Sequence, residues 1–416
     1  MKKLFTLIAL LAATAGTTLS AQCIKVYPKG TPAVITYPIA SLGDMTFSTE
    51  NGESFVTLGG VATAVSGIDS IVVDHEAQAL SHTVDVAFND KTGAYLTVSG
   101  DVFNNLTTIQ VKGNHVNIVQ NPGMVDEVSY VLSGTTTNGS FYTTGEYKAA
   151  VKLNGVNITN PDSAAIYIDN GKRIDVILAE GTENSLVDGA TGLQKACFFV
   201  NGHAEFIKGA GVLNLTGNAR HAYASDEYTW FKASTGTVNV LASANDGLHI
   251  EQYFQMDGGT LNIPNVKGDC IDVSRTKDVT DAFNGQVFIN AGTLKYAVTA
   301  EDVKGIKSES DMTINGGSFE ATVSGNGGKG ISVGGNLVID QAEGATTSIK
   351  MDVSGSTYTD PTDATLTSKC RGIKVKGNYT LKGGTIHMNV TGKKAKGISC
   401  DGQYVYLGGT TNVLPE

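Results

Sequence analysis

The sequence predicts an all-β protein in which a parallel β-helix follows a small N-terminal β module. The composition supports this prediction, because 416 residues include 50 glycines, eight prolines and one tryptophan, which suits short strands and tight turns. Short apolar segments recur about every 25 residues, the repeat length of stacked solenoid coils. Several repeats also end in a Gly-Gly turn followed by another strand, as in "MDGGTLNI" and "INGGSFEA".

Residues 1–21 have the three parts of a secretory signal peptide. Lys2 and Lys3 carry charge, residues 4–13 are apolar, and residues 19–21 read Leu-Ser-Ala, a small-residue cleavage site. The apolar run is too short to span a bilayer, and no later segment is long and apolar enough to do so. We therefore expect a protein secreted by this signal peptide that is extracellular, periplasmic or on the cell surface.

Residues 22–80 contain two short β-rich passages that differ from the repeats. They read "CIKVYPKGTPAVITYPIASLGDMTFS" and "SFVTLGGVATAVSGIDSIVV". We interpret this region as a separate small β module. Its sequence does not reveal a function.

Residues 81–416 form the predicted β-helix, in which equivalent apolar residues should stack. One coil cannot bury its apolar face alone, so successive coils must pack on each other. The insertions at 274–283 and 354–367 should then project as loops from one edge. The proposed stack consists of Ile166, Phe198, Tyr223, Leu248, Ile271, Ile306, Ile331, Ile373 and Ile398.

The five cysteines should be free and mostly buried thiols. Cys197 and Cys270 occupy like positions three coils apart, roughly 14 Å at the spacing of neighbouring strands. Cys370 and Cys400 lie in adjacent coils but at positions that differ by about four residues. Neither pair satisfies the Cα separation of at most about 7 Å that a disulfide requires.

From about residue 84 the chain resembles a bacterial family of secreted carbohydrate-binding domain proteins. The resemblance rests on residues 130–189, with the order "LNGVNITN…AAIYI…ILAEGTENSLVDG", and on the later DGL, KGI and GGT units. It implies a right-handed β-helix related in fold to family 9 pectate lyases, polysaccharide binding and calcium held between coils. The N-terminal "YPIASLGDMTFS" and "VSGIDSIVV" are similar to segments near the start of Bacteroidetes surface proteins.

A column of charged residues lies two positions before the stacked apolar residues and changes from acidic to basic. Several members belong to Lys/Arg-Gly-Ile segments. Stacked cations about 4.8 Å apart repel unless they are screened, splayed or bound to an anion. We predict that the cations bind a polymer with regular carboxylates; the alternative is a solvated turn with loosely patterned charge. The column is Asp246, Asp269, Lys304, Lys329, Arg371 and Lys396.

Acidic residues cluster at the same edge of three successive coils. Calcium requires six to eight oxygen ligands, which carboxylates and carbonyls of adjacent coils can supply. Together with the family resemblance, this pattern predicts a Ca²⁺ site; the alternative is that these side chains cap tight turns. The predicted ligands are Asp246, Asp269, Asp272, Glu301 and Asp302.

Two aromatic residues are candidates for stacking on sugar rings. When the second strands are aligned on their last glycine, Phe231 and Phe254 point inward. Their neighbours Trp230 and Tyr253 then stand on the outer face, one coil apart. Exposed flat rings suit sugars, whereas the alternative is that another segment covers them.

Catalytic motifs such as HExxH, GxSxG, CxxC and phosphate loops are missing from the sequence. A lyase would need a base, for which Lys304 or Lys307 beside the acidic cluster is a candidate. We favour the interpretation that these lysines are solvated rather than catalytic. We therefore favour a protein without enzymatic activity.

Three functional hypotheses follow. The first is a non-catalytic, calcium-stabilised protein that binds plant cell-wall-type or acidic polysaccharides. The second is a calcium-dependent, pectate-type lyase, and the third is a structural or adhesive surface protein. The net charge of −10 argues against nonspecific nucleic-acid binding. We expect a monomer.

Overall fold

The computed structural model describes residues 23–75 and 80–415. The predicted signal peptide lies outside the described residues. Contacts divide the chain into two compact units. The first extends to Val84 and also includes Leu96–Asn104, and the second comprises Asp85–Tyr95 and the chain from Asn105 onward.

The first unit is built from short, mainly antiparallel strands. Strand β1 pairs antiparallel with β2 and β6, and β3, β4 and β5 form an antiparallel meander. Its core includes Ile24, Ile35 and Val56. In order, the elements of this region are β1 (Cys23–Pro28), β2 (Ala33–Pro38), a 3-10 turn (Ile39–Ser41), β3 (Thr46–Glu50), β4 (Glu53–Leu58), β5 (Val61–Ala64), a 3-10 turn (Val65–Gly67), β6 (Ile68–Asp74), β7 (Thr83–Asn89), β8 (Tyr95–Ser99) and helix α1 (Gly100–Phe103).

The second unit is a parallel β-helix, as the sequence predicts. Each coil contributes one strand to each of three faces, which we call A, B and C, in the chain order C, A, B. Face C consists of β9 (Leu106–Lys112), β10 (Asn114–Gln120), β12 (Gly139–Thr144), β14 (Ile166–Asp169), β17 (Ala196–Asn201), β20 (His221–Ser225), β23 (Leu248–Glu251), β26 (Ile271–Ser274), β29 (Lys304–Ser308), β32 (Lys329–Val333), β37 (Arg371–Val375) and β40 (Lys396–Cys400).

Faces A and B diverge from two long strands, β11 (Val128–Thr136) and β13 (Ala149–Thr159). The second pairs with both β15 (Ile174–Leu178) and β16 (Glu183–Val187). Face A consists of β15 (Ile174–Leu178), β18 (Ala204–Lys208), β21 (Thr229–Phe231), β24 (Tyr253–Met256), β27 (Gln286–Ile289), β30 (Met312–Ile314), β33 (Leu337–Ile339), β38 (Tyr379–Leu381) and β41 (Tyr404–Tyr406). Face B consists of β16 (Glu183–Val187), β19 (Val212–Gly217), β22 (Thr237–Ser243), β25 (Thr260–Ile263), β28 (Thr293–Val298), β31 (Gly317–Val323), β34 (Thr347–Val353), β39 (Thr385–Val390) and β42 (Thr410–Leu414).

The predicted stack of apolar residues is confirmed on face C. Ile166 pairs with Phe198, and the register continues through every predicted member to Ile398. The stack also extends backward to Phe141 and Val116, which the spacing did not identify. From Val116 to Ile373 its members are buried and form one wall of the core.

The glycine of the Lys/Arg-Gly-Ile segments lies where face C meets the side chains of face B. A Cβ atom on Gly305 would lie 2.1 Å from Cε2 of Tyr296 and 2.3 Å from the carbonyl oxygen of Gly330. A Cβ on Gly330 would lie 2.7 Å from Sδ of Met351. Glycine is therefore required by packing, since no larger residue fits without displacing the core.

The two insertions differ in structure. Residues 357–369 contain an antiparallel hairpin of β35 (Thr357–Thr359) and β36 (Thr367–Lys369) where the sequence predicted a loop. Residues 275–285 form turns without a strand.

All five cysteines are free, as predicted, and Cys23, Cys197, Cys270 and Cys370 are buried. Within the described residues, no helix has the length and apolar character needed to cross a bilayer.

Candidate functional site

The cation column is in register but is not an open row of charges. Lys304, Lys329, Arg371 and Lys396 pair in sequence across adjacent strands of face C. Arg371 is only 7% exposed, and its Nη1 donates to the carbonyl oxygens of Cys370 and Lys394 at 2.6 and 3.2 Å. Arg371 is therefore not an exposed cation that is free to bind a polymer.

The two lysines beside it are also engaged by the protein. Lys329 Nζ lies 2.9 Å from Asp302 Oδ1 and contacts Ser368 Oγ of the β35–β36 hairpin. Lys304 Nζ donates to the carbonyl oxygen of Asp302 at 2.6 Å. Lys396 is the exposed member of the four. Three of the four cations thus have partners within the protein, one through an ion pair and two through backbone carbonyl oxygens.

The acidic half of the column holds neighbouring coils together. Asp246 Oδ1 accepts the backbone N–H of Asp269 at 2.8 Å, and Asp269 Oδ1 accepts that of Lys304 at 2.7 Å. Burial raises the pKa of Asp269 to about 6, although the nearby charge of Lys304 opposes this shift. These contacts give a structural reason for aspartate at both positions.

Asp272 lies on the outer side of face C between two basic side chains. Its Oδ2 is 3.0 Å from His249 Nδ1, and its Oδ1 is 2.8 Å from Lys307 Nζ. Burial opposes charge on both partners, but hydrogen bonds to Asp272 raise the pKa of Lys307, and those to Asp246 and Asp272 raise the pKa of His249 to about 9. A raised pKa is the opposite of what Lys307 would need to act as a base.

The five predicted calcium ligands do not converge on one point. Glu301 is exposed and accepts from Asn326, while Asp302 pairs with Lys329. The remaining three accept N–H groups or contact His249 and Lys307, whereas calcium requires a cage of oxygen atoms. This environment does not fit Ca²⁺ without rearrangement.

Among the described residues, His221, Asp246 and His249 form a tighter group. Their potential ligand atoms all lie within 4.8 Å of one another. Burial raises the pKa of Asp246, but its close contacts with His221 and His249 outweigh this effect and hold the pKa well below its usual range. Burial lowers the pKa of His221. Sequence spacing alone did not single out these histidines, because their partner Asp246 lies in the turn between their strands.

Trp230 and Tyr253 lie on adjacent coils of face A, but not opposite each other. Trp230 pairs with Gln255, and the residue opposite Phe254 is Thr229 rather than Phe231. The alignment on glycines was therefore wrong by two residues at this step, because the turn from face A to face B is two residues shorter after β24 than after β21. Both side chains are half-buried.

The outer side of face A carries a group of rings that the sequence argument found only in part. His203 stacks on Tyr228 with ring centroids 4.6 Å apart, and Tyr228 stacks on Tyr253 at 4.7 Å. Phe288 meets Tyr253 edge-on at 6.4 Å. We call His203, Tyr228, Trp230, Tyr253 and Phe288 the aromatic face.

Polar groups fix the rings of the aromatic face. Trp230 Nε1 donates to Asp257 Oδ2 at 2.7 Å, and Lys232 Nζ lies over the indole ring. Tyr228 Oη donates to Glu205 Oε1 at 3.0 Å, and Glu205 also pairs with Lys232 at 3.1 Å. The result is a pre-organised surface in which half-exposed rings alternate with carboxylate and ammonium groups.

Face C carries a second, smaller row of rings. Tyr167 stacks on Phe199 with centroids 5.0 Å apart and meets Tyr142 edge-on at 5.7 Å. Tyr142 Oη donates to Ser163 Oγ at 3.0 Å. Lys195 Nζ lies 5.7 Å from the centroid of the Phe199 ring and pairs with Glu251 at 2.8 Å.

A family model and a curated relative that match this chain carry the same description. The model of a family described as "Carbohydrate-binding domain-containing protein" matches residues 112–414. A curated protein of the same description from Acetivibrio thermocellus is 30% identical over 177 residues, which cover 42% of this chain and 50% of that protein. The chain thus matches about half the length of this relative.

A solved structure also aligns with most of the chain. It is a polysaccharide lyase-like protein from C. thermocellum, determined as a gadolinium derivative, with 19% sequence identity and a TM-score of 0.45. The alignment covers 79% of this chain and 99% of that structure.

Proposed function

The chain belongs to the carbohydrate-binding domain-containing family, and on this premise we propose that it binds a polysaccharide along the aromatic face. The observation that carries the proposal is the grouping of five half-buried rings on consecutive coils. The C–H groups of a sugar pack on aromatic surfaces, while its hydroxyl groups require hydrogen-bonding partners. The aromatic face offers both kinds of contact.

The repeat of the β-helix suits a polymeric ligand. Face A presents the rings on β21, β24 and β27 and on the turn residues before β18 and β21, and these strands are joined in one parallel row. A chain of sugars laid across neighbouring strands can therefore contact several rings at once. Glu205, Gln255 and Asp257 supply polar groups between those rings.

We propose plant cell-wall-type polysaccharides as the ligand class. Acidic glycans are a narrower class of ligand that we also consider. Of the predicted cations, Lys396 is exposed, whereas Lys304, Lys329 and Arg371 have partners within the protein. An acidic polymer would have to compete with these partners. We propose that aromatic contacts contribute more to affinity than charge does.

We also propose that the protein is exported and that polysaccharide is met outside the cytoplasm. Residues 1–21 support this through their charged, apolar and small-residue segments. Stabilisation by calcium stays a prediction, and the melting temperature of the chain with and without Ca²⁺ tests it.

Electrophoresis through native gels containing a soluble cellulose derivative, xylan or polygalacturonate tests the proposal. We expect the wild-type chain to be retarded by at least one of them. Trp230→Ala and Tyr253→Ala should each weaken binding about two- to tenfold, because an aromatic contact contributes roughly 0.5–1.5 kcal/mol. Tyr167→Ala is the matched control, since it removes an outward ring from face C.

Four outcomes would count against this assignment. Equal retardation of wild type, Trp230→Ala and Tyr253→Ala would place binding elsewhere, and loss of retardation in Tyr167→Ala alone would move it to face C. Retardation by polygalacturonate that disappears in high salt would show that charge dominates. Growth of ultraviolet absorbance from unsaturated ends, lost in Lys304→Ala, would instead favour the lyase alternative.

A further inference from the structure

His221, Asp246 and His249 come together from adjacent coils of the β-helix. His221 begins β20, His249 lies in β23, and Asp246 precedes β23 in the connecting turn. The two imidazole rings stack with centroids 4.5 Å apart and planes inclined by 17°. The His221 side chain is 2% exposed, and the Asp246 side chain is 11% exposed. The group is thus shielded from water and held by the fold.

Asp246 lies at a metal-ligand separation from both histidines, and all three potential ligand atoms lie within 4.8 Å of one another. Asp246 Oδ2 lies 3.2 Å from His221 Nδ1 and 3.5 Å from His249 Nδ1. Metal–ligand bonds of about 2.0–2.2 Å place neighbouring ligand atoms about 3.0–3.5 Å apart in tetrahedral or octahedral geometry. An ion could therefore bind all three atoms with small movements of the side chains.

Two further contacts point to a ligand. His221 Nδ1 is buried, yet its orientation toward Asp246 gives no hydrogen bond, and it has no other such partner among the described residues. Asp246 Oδ1 is held by the backbone N–H of Asp269, which directs Oδ2 toward the two rings. A buried nitrogen without a hydrogen bond needs an explanation, and carboxylates that bind metals are typically oriented by such outer contacts.

We propose that His221, Asp246 and His249 bind a divalent first-row transition-metal ion of the zinc type, which links two coils of the β-helix. Two imidazoles and one carboxylate suit zinc, copper or nickel rather than calcium, which prefers an all-oxygen cage. A second carboxylate is close by, since Asp272 Oδ2 lies 3.0 Å from His249 Nδ1. This site does not depend on polysaccharide binding.

The test uses the full chain after treatment with chelator. Titration with Zn²⁺ should show one equivalent bound and a higher melting temperature, because an ion that binds the folded state stabilises it. Titration with Co²⁺ should give visible absorption bands of a nitrogen-ligated ion. His249→Gln should weaken Zn²⁺ binding about a hundredfold or more and remove the Co²⁺ bands.

His387→Gln is the matched control, since His387 is an exposed histidine on face B and should leave Zn²⁺ binding unchanged. Because His221 is deeply buried, its replacement would perturb the core. Asp246→Asn is therefore the second variant, and its Co²⁺ spectrum is recorded on the folded chain. Absence of stoichiometric Zn²⁺ binding, or equal binding by wild type and His249→Gln, would overturn the proposal. A rise in melting temperature with Ca²⁺ but not with Zn²⁺ would also overturn it and would support the calcium prediction.

Discussion

At the scale of single residues, the repeated Lys/Arg-Gly-Ile segment has a packing explanation. The isoleucine lines the core, and the glycine makes room for a large side chain that arrives from face B. The preceding cation is the variable member, and its contacts differ from coil to coil. A steric requirement therefore explains the repeated glycine and isoleucine. A ligand shared by the four segments is not needed to explain the motif.

Replacement of Gly305 by alanine should destabilise the β-helix. The new methyl group would overlap the buried ring of Tyr296 and the backbone of the next coil, and overpacking of this kind costs about 1–3 kcal/mol. Chemical denaturation followed by circular dichroism measures the effect. Gly171→Ala is the control, since a Cβ there meets no atom within 4 Å. Equal midpoints for the two variants would contradict the steric explanation.

At the scale of elements, a ladder of asparagines joins successive strands of face B. Asn239 Nδ2 donates to Asn214 Oδ1 and Asn262 Nδ2 donates to Asn239 Oδ1, each at 2.8 Å. The same row continues on the next strand with Lys295, which forms an exposed ion pair with Glu320. One outer row thus contains two kinds of coil-to-coil contact.

Asn239→Ala should cost more stability than Lys295→Ala. The first change removes two half-buried hydrogen bonds, each with a net value of about 0.5–1.5 kcal/mol, whereas an exposed ion pair contributes about 0–1 kcal/mol. Thermal unfolding in low and high salt separates them, since salt should affect only the contribution of Lys295. An equal loss in both variants, with the same salt dependence, would argue against the ladder.

The elements also show which parts of the structure the sequence could predict. Counting from one apolar core to the next placed every predicted stack member of face C, because inward side chains at fixed spacing define the register. Counting back from glycines failed between β21 and β24, where a turn is two residues shorter. The spacing of one face therefore does not transfer to another face.

The candidate site was less predictable than the fold. The charged column could be counted from the sequence, but its partners come from a preceding turn and from the β35–β36 hairpin. The histidine pair depends on how one turn places Asp246 beside two strands. Such contacts depend on the backbone conformation of turns, and turn residues show no periodic pattern in the sequence.

At the scale of the whole molecule, the second unit is a one-dimensional array in which each coil pairs with its neighbours. The offset between adjacent coils is the same on all three faces near β20: Ala204 pairs with Thr229, Val212 with Thr237, and Phe198 with Tyr223. Stability in such an array is close to a sum of coil and interface contributions. The array should therefore tolerate the loss of one whole coil.

Deletion of residues 204–228 should leave a folded, shorter β-helix. The deletion joins His203 to Thr229, so β21, β22 and β23 can take the places of β18, β19 and β20 in the same register, apart from the bulge after Leu215. Circular dichroism should retain its strand signal, and thermal unfolding should remain cooperative. Deletion of residues 204–215, about half a coil, is the control and should prevent folding. Soluble, folded protein from both deletions would contradict the coil-by-coil account.

The single tryptophan of the chain gives the aromatic face an optical property of its own. Trp230 is half-buried beneath Lys232, with its N–H held by Asp257, so its emission depends on the charges and water next to that ring. Tryptophan fluorescence of this protein therefore comes from the aromatic face alone. An oligosaccharide that binds to the aromatic face would change the wavelength or intensity of tryptophan fluorescence, so binding can be followed without a label.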